Sequence, residues 1–119
     1  MNYAIKGTEV NISDEIRSYV EKRLSGLDKF ASEASRCDVE LGYEALFDGP
    51  KYRVELMYHK PGAPLMRAEA RGAALHEAID LAAGELLEGL TSAKQKRRDI
   101  LRRTGARVKE YLRGWRGKI

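Results

Sequence analysis

Three consecutive stretches of alternating apolar and polar residues, at 37–44, 52–59 and 65–71, dominate the middle of the chain. A period of two places successive side chains on opposite faces of a strand, so each stretch reads as a strand with one packed and one wet face. In the first, Val39, Leu41 and Tyr43 face one way and Asp38, Glu40 and Glu44 the other; in the second, Tyr52, Val54, Leu56 and Tyr58 oppose Arg53, Glu55 and His59. The intervening DGPK and KPGAP place Gly and Pro where a chain reverses, which predicts an antiparallel meander of three strands.

A sheet with one apolar face needs a cover, and two segments have the spacing to supply it. Ser13 offers an N-cap, Asp14 and Glu15 suit the positive end of a helix dipole, and Ile16, Tyr19, Val20, Leu24, Leu27 and Phe30 recur at helical intervals, predicting an amphipathic helix over 14–30. From Gly72 onward Leu75, Ile79, Ala82, Leu86, Leu90 and Ala93 mark one face of a second, longer helix, with Asp80, Glu85 and Glu88 outside it. A short strand over 3–6, ending at Gly7, precedes both. The order β-α-β-β-β-α implies a crossover that sets the first two strands parallel, followed by the meander. The expected fold class is therefore α+β: a two-layer sandwich of a four-stranded sheet with both helices on one face. A chain of 119 residues, 43% of them apolar, suits one such core plus a tail.

Several function classes find no support. No apolar run approaches the roughly 18 residues of a membrane span, and the N-terminus lacks the charged and apolar regions of a secretion signal, so a cytoplasmic chain with no membrane partner is expected. Cys37 is the only cysteine, which leaves no disulfide and no thiolate cluster for zinc; it reads as a small, semi-buried residue. His59 falls near a strand end on the wet face and His76 in the first turn of the second helix. Neither has an HxxxH, CxxC or paired-carboxylate companion, so each reads as a surface or helix-end residue and not as a metal ligand or base. Gly7-Thr8-Glu9 matches no phosphate-cradling loop, and Gly72, although its helix start offers free N–H groups to a phosphate, is better read as a turn residue. The expectation is a protein that is not an enzyme, with no cofactor, metal or small-molecule substrate.

Charge is the strongest remaining signal. Residues 1–90 hold 11 Lys/Arg and 16 Asp/Glu, whereas residues 91–119 hold 11 and 2. Lys94, Lys96, Arg97, Arg98, Arg102 and Arg103 crowd into ten residues in which Asp99 is the only acid. Like charges at this density repel one another unless a polyanion neutralises them, and each phosphate contact releases counterions. On the first helix Lys22 and Lys29 lie opposite the apolar stripe, Arg17 flanks it and Arg23 snorkels from it, with Glu21 and Asp28 nearby. Beyond residue 103, Ile100, Leu101, Val108, Leu112 and Trp115 are too sparse for a core but suit an amphipathic extension, which Gly105, Gly114 and Gly117 are expected to fray. The domain expectation is 1–103 for the α+β unit and 104–119 for a basic tail that can form a helix. Tyr52 and Tyr58 belong to the core layer, so the wet sheet face has no aromatic platform for bases; Tyr111 and Trp115 suit either a base or a protein surface.

The element order and particular residues together resemble the bacterial ribosome hibernation-promoting factor family, also called ribosome-associated inhibitor A or protein Y. The residues are Ile5-x-Gly7-x-x-Val10-x-Ile12-Ser13-x-x-Ile16-Arg17 with Val20, Arg23, Leu24, Leu27 and Lys29, then Ala70-x-Gly72, Ala78-Ile79-Asp80, Leu86, Leu90-Thr91 and Lys94-x-Lys96. The resemblance spans about residues 1–103. It implies a ribosome-binding translation inhibitor that occupies the cleft between head and body of the small subunit, with the small subunit and its rRNA as partners and a monomer off the ribosome. It also implies rRNA contacts at Arg17, Arg23, Lys29, Lys94 and Lys96; charge alone adds Lys22, Arg97, Arg98, Arg102 and Arg103 to the candidate RNA-binding residues. Two departures stand out: Ala74-Leu75-His76 where the family usually has Asp-Met-Tyr, and Glu85, Glu88 and Ser92 at mid-helix positions that are often basic. They shift the expected contacts toward the C-terminal end of the helix. Ending at Ile119, the chain resembles the short form of the family. Two other readings of the residues are a protein-interaction module using the amphipathic basic tail and a general double-stranded-RNA binder.

Overall fold

The computed structural model describes the backbone of residues 1–116, with the side chains of all but Pro50 and residues 104–116. The elements are β1 (Asn2–Thr8), α1 (Asp14–Leu24), a 3₁₀ segment (Ser25–Phe30), β2 (Arg36–Leu46), β3 (Gly49–His59), β4 (Met66–Gly72) and α2 (Leu75–Arg116). The strands lie in the order β1-β2-β3-β4. β1 runs parallel to β2, with Ile5 opposite Val39, and the other two pairings are antiparallel, setting Val39 against Leu56 and Leu56 against Ala68. The α+β class and the β-α-β-β-β-α order expected from the sequence both hold.

The register brings the apolar halves of all four strands to one face. Val39, Leu41, Val54, Leu56 and Tyr58 there are buried, as are Val20, Leu24 and Leu27 from the first helical segment and Ala78, Ile79, Ala82, Ala83 and Leu86 from α2. Two polar groups carried into the core are satisfied: the Tyr58 hydroxyl donates to the Phe30 carbonyl at 3.0 Å, and the oxygen of buried Ser35 accepts from the Ser32 amide at 2.9 Å.

Four local features differ from the sequence expectation. The first helix is α-helical only to Leu24, because Ser25-Gly26 is a poor helix continuation and the Ser25 hydroxyl turns back onto the Lys22 carbonyl at 2.6 Å; a 3₁₀ segment completes the span to Phe30. The β2–β3 reversal is made by Phe47-Asp48, and β3 already begins at Gly49, which takes the left-handed φ of 117°. Cys37 is fully buried, not semi-buried, and burial, aided by neighbouring Asp38, pushes its thiol up to about 12. Finally, α2 passes Gly105 and Gly114 without a break, where fraying was expected.

The chain divides into a compact unit, Met1–Gly89, and a second unit that starts at Leu90 and contains the C-terminal part of α2. Among the described residues no helix is long and apolar enough to cross a membrane.

Two glycines fix the ends of the helical layer. A Cβ on Gly72 would meet the Ala78 amide nitrogen at 3.1 Å and the Ala74 carbonyl oxygen at 3.3 Å, so a larger residue at the turn into α2 would press on the backbone of the first helical turn. A Cβ on Gly7 would collide with the Val10 carbonyl oxygen and press on Ile12. Gly7→Ala is expected to destabilise the protein by about 1–3 kcal/mol, the range for overpacking a filled site, read as a lower urea midpoint at unchanged slope.

Candidate nucleic-acid interface

The first helical segment carries four of the candidate bases, and the structure separates their roles. Ser13 caps α1, its hydroxyl accepting from the Ile16 amide at 3.1 Å, and this sets the phase of the helix so that Val20 and Leu24 point inward. Arg17, Lys22 and Lys29 are exposed, with Lys29 Nζ 5.2 Å from the centre of the Phe30 ring. Arg23 is exposed too, but it is engaged: its Nε donates to Asp80 Oδ1 at 2.7 Å, and the Tyr19 hydroxyl donates to the same oxygen at 2.6 Å. The Tyr19 ring meets His76 edge-on at 4.4 Å between centres. Tyr19, Arg23, His76 and Asp80 therefore tie α1 to α2. The Tyr19 hydrogen bond, reinforced by Arg23, holds the Asp80 carboxyl below the ordinary carboxylate range; the same bond raises the Tyr19 phenol.

The helical layer of Met1–Gly89 is acidic overall. Arg17, Lys22, Arg23 and Lys29 are its only Lys or Arg residues, against eight carboxylates at positions 14, 15, 21, 28, 77, 80, 85 and 88. Glu77, Glu85 and Glu88 are exposed on α2.

The opposite, uncovered sheet face holds more arginines, and they are consumed. Arg53 donates to Glu69 at 2.9 Å and Glu55 at 2.6 Å, Arg67 donates to Glu69 at 2.7 Å and Glu55 at 3.1 Å, and Arg71 pairs with Glu44 at 3.2 Å and Glu69 at 3.1 Å. Residues directly opposite one another here are alike in charge, Arg53 with Arg71 and Glu55 with Glu69. Like pairs across a ladder are destabilising; the ion pairs resolve this by running diagonally and along each strand. Hydrogen bonding from Arg67, then Arg53, lowers the Glu55 carboxyl, and from Arg53 lowers that of Glu69, while Arg53 itself is raised. This lattice offers little positive charge to a phosphate. At the face's other end His59 Nε2 lies 3.2 Å from Asp38 Oδ2 without hydrogen-bond geometry. No group of three or more His, Cys, Asp or Glu suited to a metal occurs among the described residues.

The unbalanced positive charge lies on the second unit. Lys94, Lys96, Arg97, Arg98, Arg102 and Arg103 all fall within α2 and all are exposed. Asp99, the one carboxylate among them, accepts from Gln95 at 3.2 Å. Lys94, Arg98 and Arg102 follow one another at intervals of four, and each such like-charge pair costs a helix about 0.2–0.5 kcal/mol until an anion screens it.

Fold and charge together define a class: a small α+β sandwich whose excess positive charge is concentrated on one exposed helical segment. A family model described as "Sigma 54 modulation protein / S30EA ribosomal protein" matches residues 3–98. A ribosome hibernation promotion factor of Deinococcus radiodurans is 30% identical over 95 residues, covering 79% of this chain and 49% of that protein. A ribosome hibernation promoting factor of Azotobacter vinelandii is 31% identical over 107 residues, covering 90% of this chain and 94% of that one. The chain thus spans about half the length of the first relative and nearly all of the second. Among solved structures, the Thermus thermophilus Protein Y N-terminal domain superposes with a TM-score of 0.65 at 35% identity, over 76% of this chain and 96% of that one. A ribosomal subunit interface protein from Coxiella burnetii has the same fold, with a TM-score of 0.65 at 22% identity over 80% and 99% of the two chains. The chain belongs to the Sigma 54 modulation protein / S30EA ribosomal protein family.

Asp80, Glu55 and Glu69 all have folded values below their ordinary 3.8, 4.5 and 4.5. The folded state therefore binds fewer protons than the unfolded one at these sites. The stability they contribute is fully present above the ordinary values and is lost as pH falls through the folded ones. Urea midpoints measured from pH 7 downward should fall below about pH 4.5, the ordinary value of Glu55 and Glu69, and the fall should be shallower in Glu55→Gln. Because the Arg23–Asp80 pair is 42% and 46% exposed, Asp80→Asn should cost no more than about 1 kcal/mol at neutral pH.

Proposed function

We propose that the chain is a ribosome-associated translation inhibitor that acts by occlusion in the cytoplasm, without chemistry. In this reading it occupies the decoding cleft of the small subunit and grips rRNA through the basic segment of α2, with Arg17, Lys22 and Lys29 as secondary contacts. The observation that carries the reading is the exposure of all six bases between positions 94 and 103 in a chain of this family. The names of the relatives support the ribosome as partner. Long basic side chains on a helix meet phosphates at many points and need no preformed pocket. Arg23 contributes through Asp80, by holding α1 against α2, as much as through any phosphate it reaches. Residues 1–103 form the binding unit, and 104–119 are dispensable for it.

The protein should co-sediment with purified small subunits at low salt; its absence from the subunit fraction would defeat the reading. If six to ten phosphates are contacted, affinity should drop roughly 10³- to 10⁵-fold between 50 and 200 mM salt. Lys96→Ala/Arg97→Ala/Arg98→Ala should weaken binding and flatten the salt slope by about three contacts' worth, whereas Arg53→Ala should leave both unchanged. A chain ending at residue 103 should bind as the full chain does. A shift assay with duplex RNA separates ribosome recognition from general shape recognition of A-form helices.

A further inference from the structure

Phosphate contacts account for the bases of the 94–103 segment but not for the two large apolar side chains among them. Ile100 is 59% exposed and Leu101 71%. A surface that is both cationic and apolar is complemented best by one that is anionic and apolar. Met1–Gly89 presents such a surface on its helical layer, where Leu81, 52% exposed, lies between Glu77 and Glu85 at intervals of four on α2, with Glu88 one turn further on. None of these three glutamates has an ion pair among the described residues, while eight carboxylates of the layer face only four Lys or Arg.

We propose that the basic segment of α2 in one copy docks on the acidic helical layer of a second copy. Arg97 and Arg98 are then neutralised by Glu85 and Glu88, and Ile100 and Leu101 share their contact with Leu81. The second copy is the occupant because the chain carries both halves of the complement, with a balance of −5 over residues 1–90 and +9 over 91–119. Reciprocal exchange closes a two-fold pair; one-way exchange gives an open chain, and both grow with concentration. A contact of a few helical turns falls below the roughly 1,200 Å² of stable complexes, so the chain is a monomer when dilute and associates as it accumulates. Self-association and RNA use the same bases, so each displaces the other.

The test uses nucleic-acid-free full-length protein in sedimentation velocity, and so is independent of any ribosome assay. At about 0.01 M salt, where charges act over about 30 Å, the weight-average mass should rise with concentration toward at least twice that of the monomer. At about 1 M salt, where they act over about 3 Å, the rise should vanish. Glu85→Lys/Glu88→Lys and Arg97→Glu/Arg98→Glu, each verified as folded by circular dichroism, should stay monomeric alone and associate when mixed, because the mixture restores opposite charges on both contacts. A short polyuridylate added to the wild-type protein should dissociate it. A monomer at every concentration in low salt, association untouched by both charge reversals, or failure of the mixture to associate would each overturn the proposal. So would binding to phosphatidylglycerol vesicles without self-association, which gives the face to a lipid surface.

Discussion

The pairing register of β3 with its two neighbours decides both faces of the sheet at once. In the observed register Val54, Leu56 and Tyr58 enter the core beside Val39, Leu41 and Ala68. A slip of one residue would expose all three and bury Arg53, Glu55 and His59. The same register places Arg53, Arg67 and Arg71 within 3.2 Å of Glu44, Glu55 and Glu69 on the opposite face. Hydrophobic burial supplies most of the driving force, and the ion-pair lattice adds a penalty for the wrong alignment. A slipped sheet would leave those charges facing apolar partners, and burying an unpaired charge costs far more than an exposed pair contributes.

Neutralising the sheet face also bears on where anions are attracted. The arginines there are matched by carboxylates and the helical layer of Met1–Gly89 is acidic, whereas the segment from 94 to 103 carries six bases and one carboxylate. On the proposed reading, such a separation of charge steers an approaching polyanion to that segment instead of spreading weak contacts over many others, an effect that rises as salt falls.

The element order, the faces of each strand and the stripe of each helix were legible in the sequence because each rests on a period of two or 3.6 and on recognisable punctuation: Ser13, Gly72 and the Gly-Pro turns. What was not legible depended on partners distant in sequence. Asp80 read as an outward acid, and nothing local announces that Tyr19 and Arg23, more than fifty residues away, converge on its Oδ1. The lattice was hidden for the same reason. Arg and Glu alternate along β3 and β4, but the diagonal geometry that pairs them exists only once the strands are in register. Cys37, a lone cysteine, read as semi-buried, whereas it stands between Tyr3 on one neighbouring strand and Tyr58 on the other and is fully buried.

The charge density of the candidate segment was legible in the sequence, and the structure separates the exposed bases from those engaged in ion pairs. Arg23 contributes much of its donor capacity to Asp80, so its removal would loosen the α1–α2 contact before it lost any phosphate. Arg17, Lys22 and Lys29 sit in a layer where carboxylates outnumber bases two to one, which lowers what each gains from an anion nearby. Glu85 and Glu88 occupy exposed helix positions, and a phosphate brought near them is repelled. On the proposed reading, the grip along α2 cannot be uniform: it must be strongest past Leu90 and weakest along the glutamate stripe. A polyanion that lies across the whole helix would then meet opposite fields on the two halves. A ligand that contacts only the C-terminal half avoids the conflict.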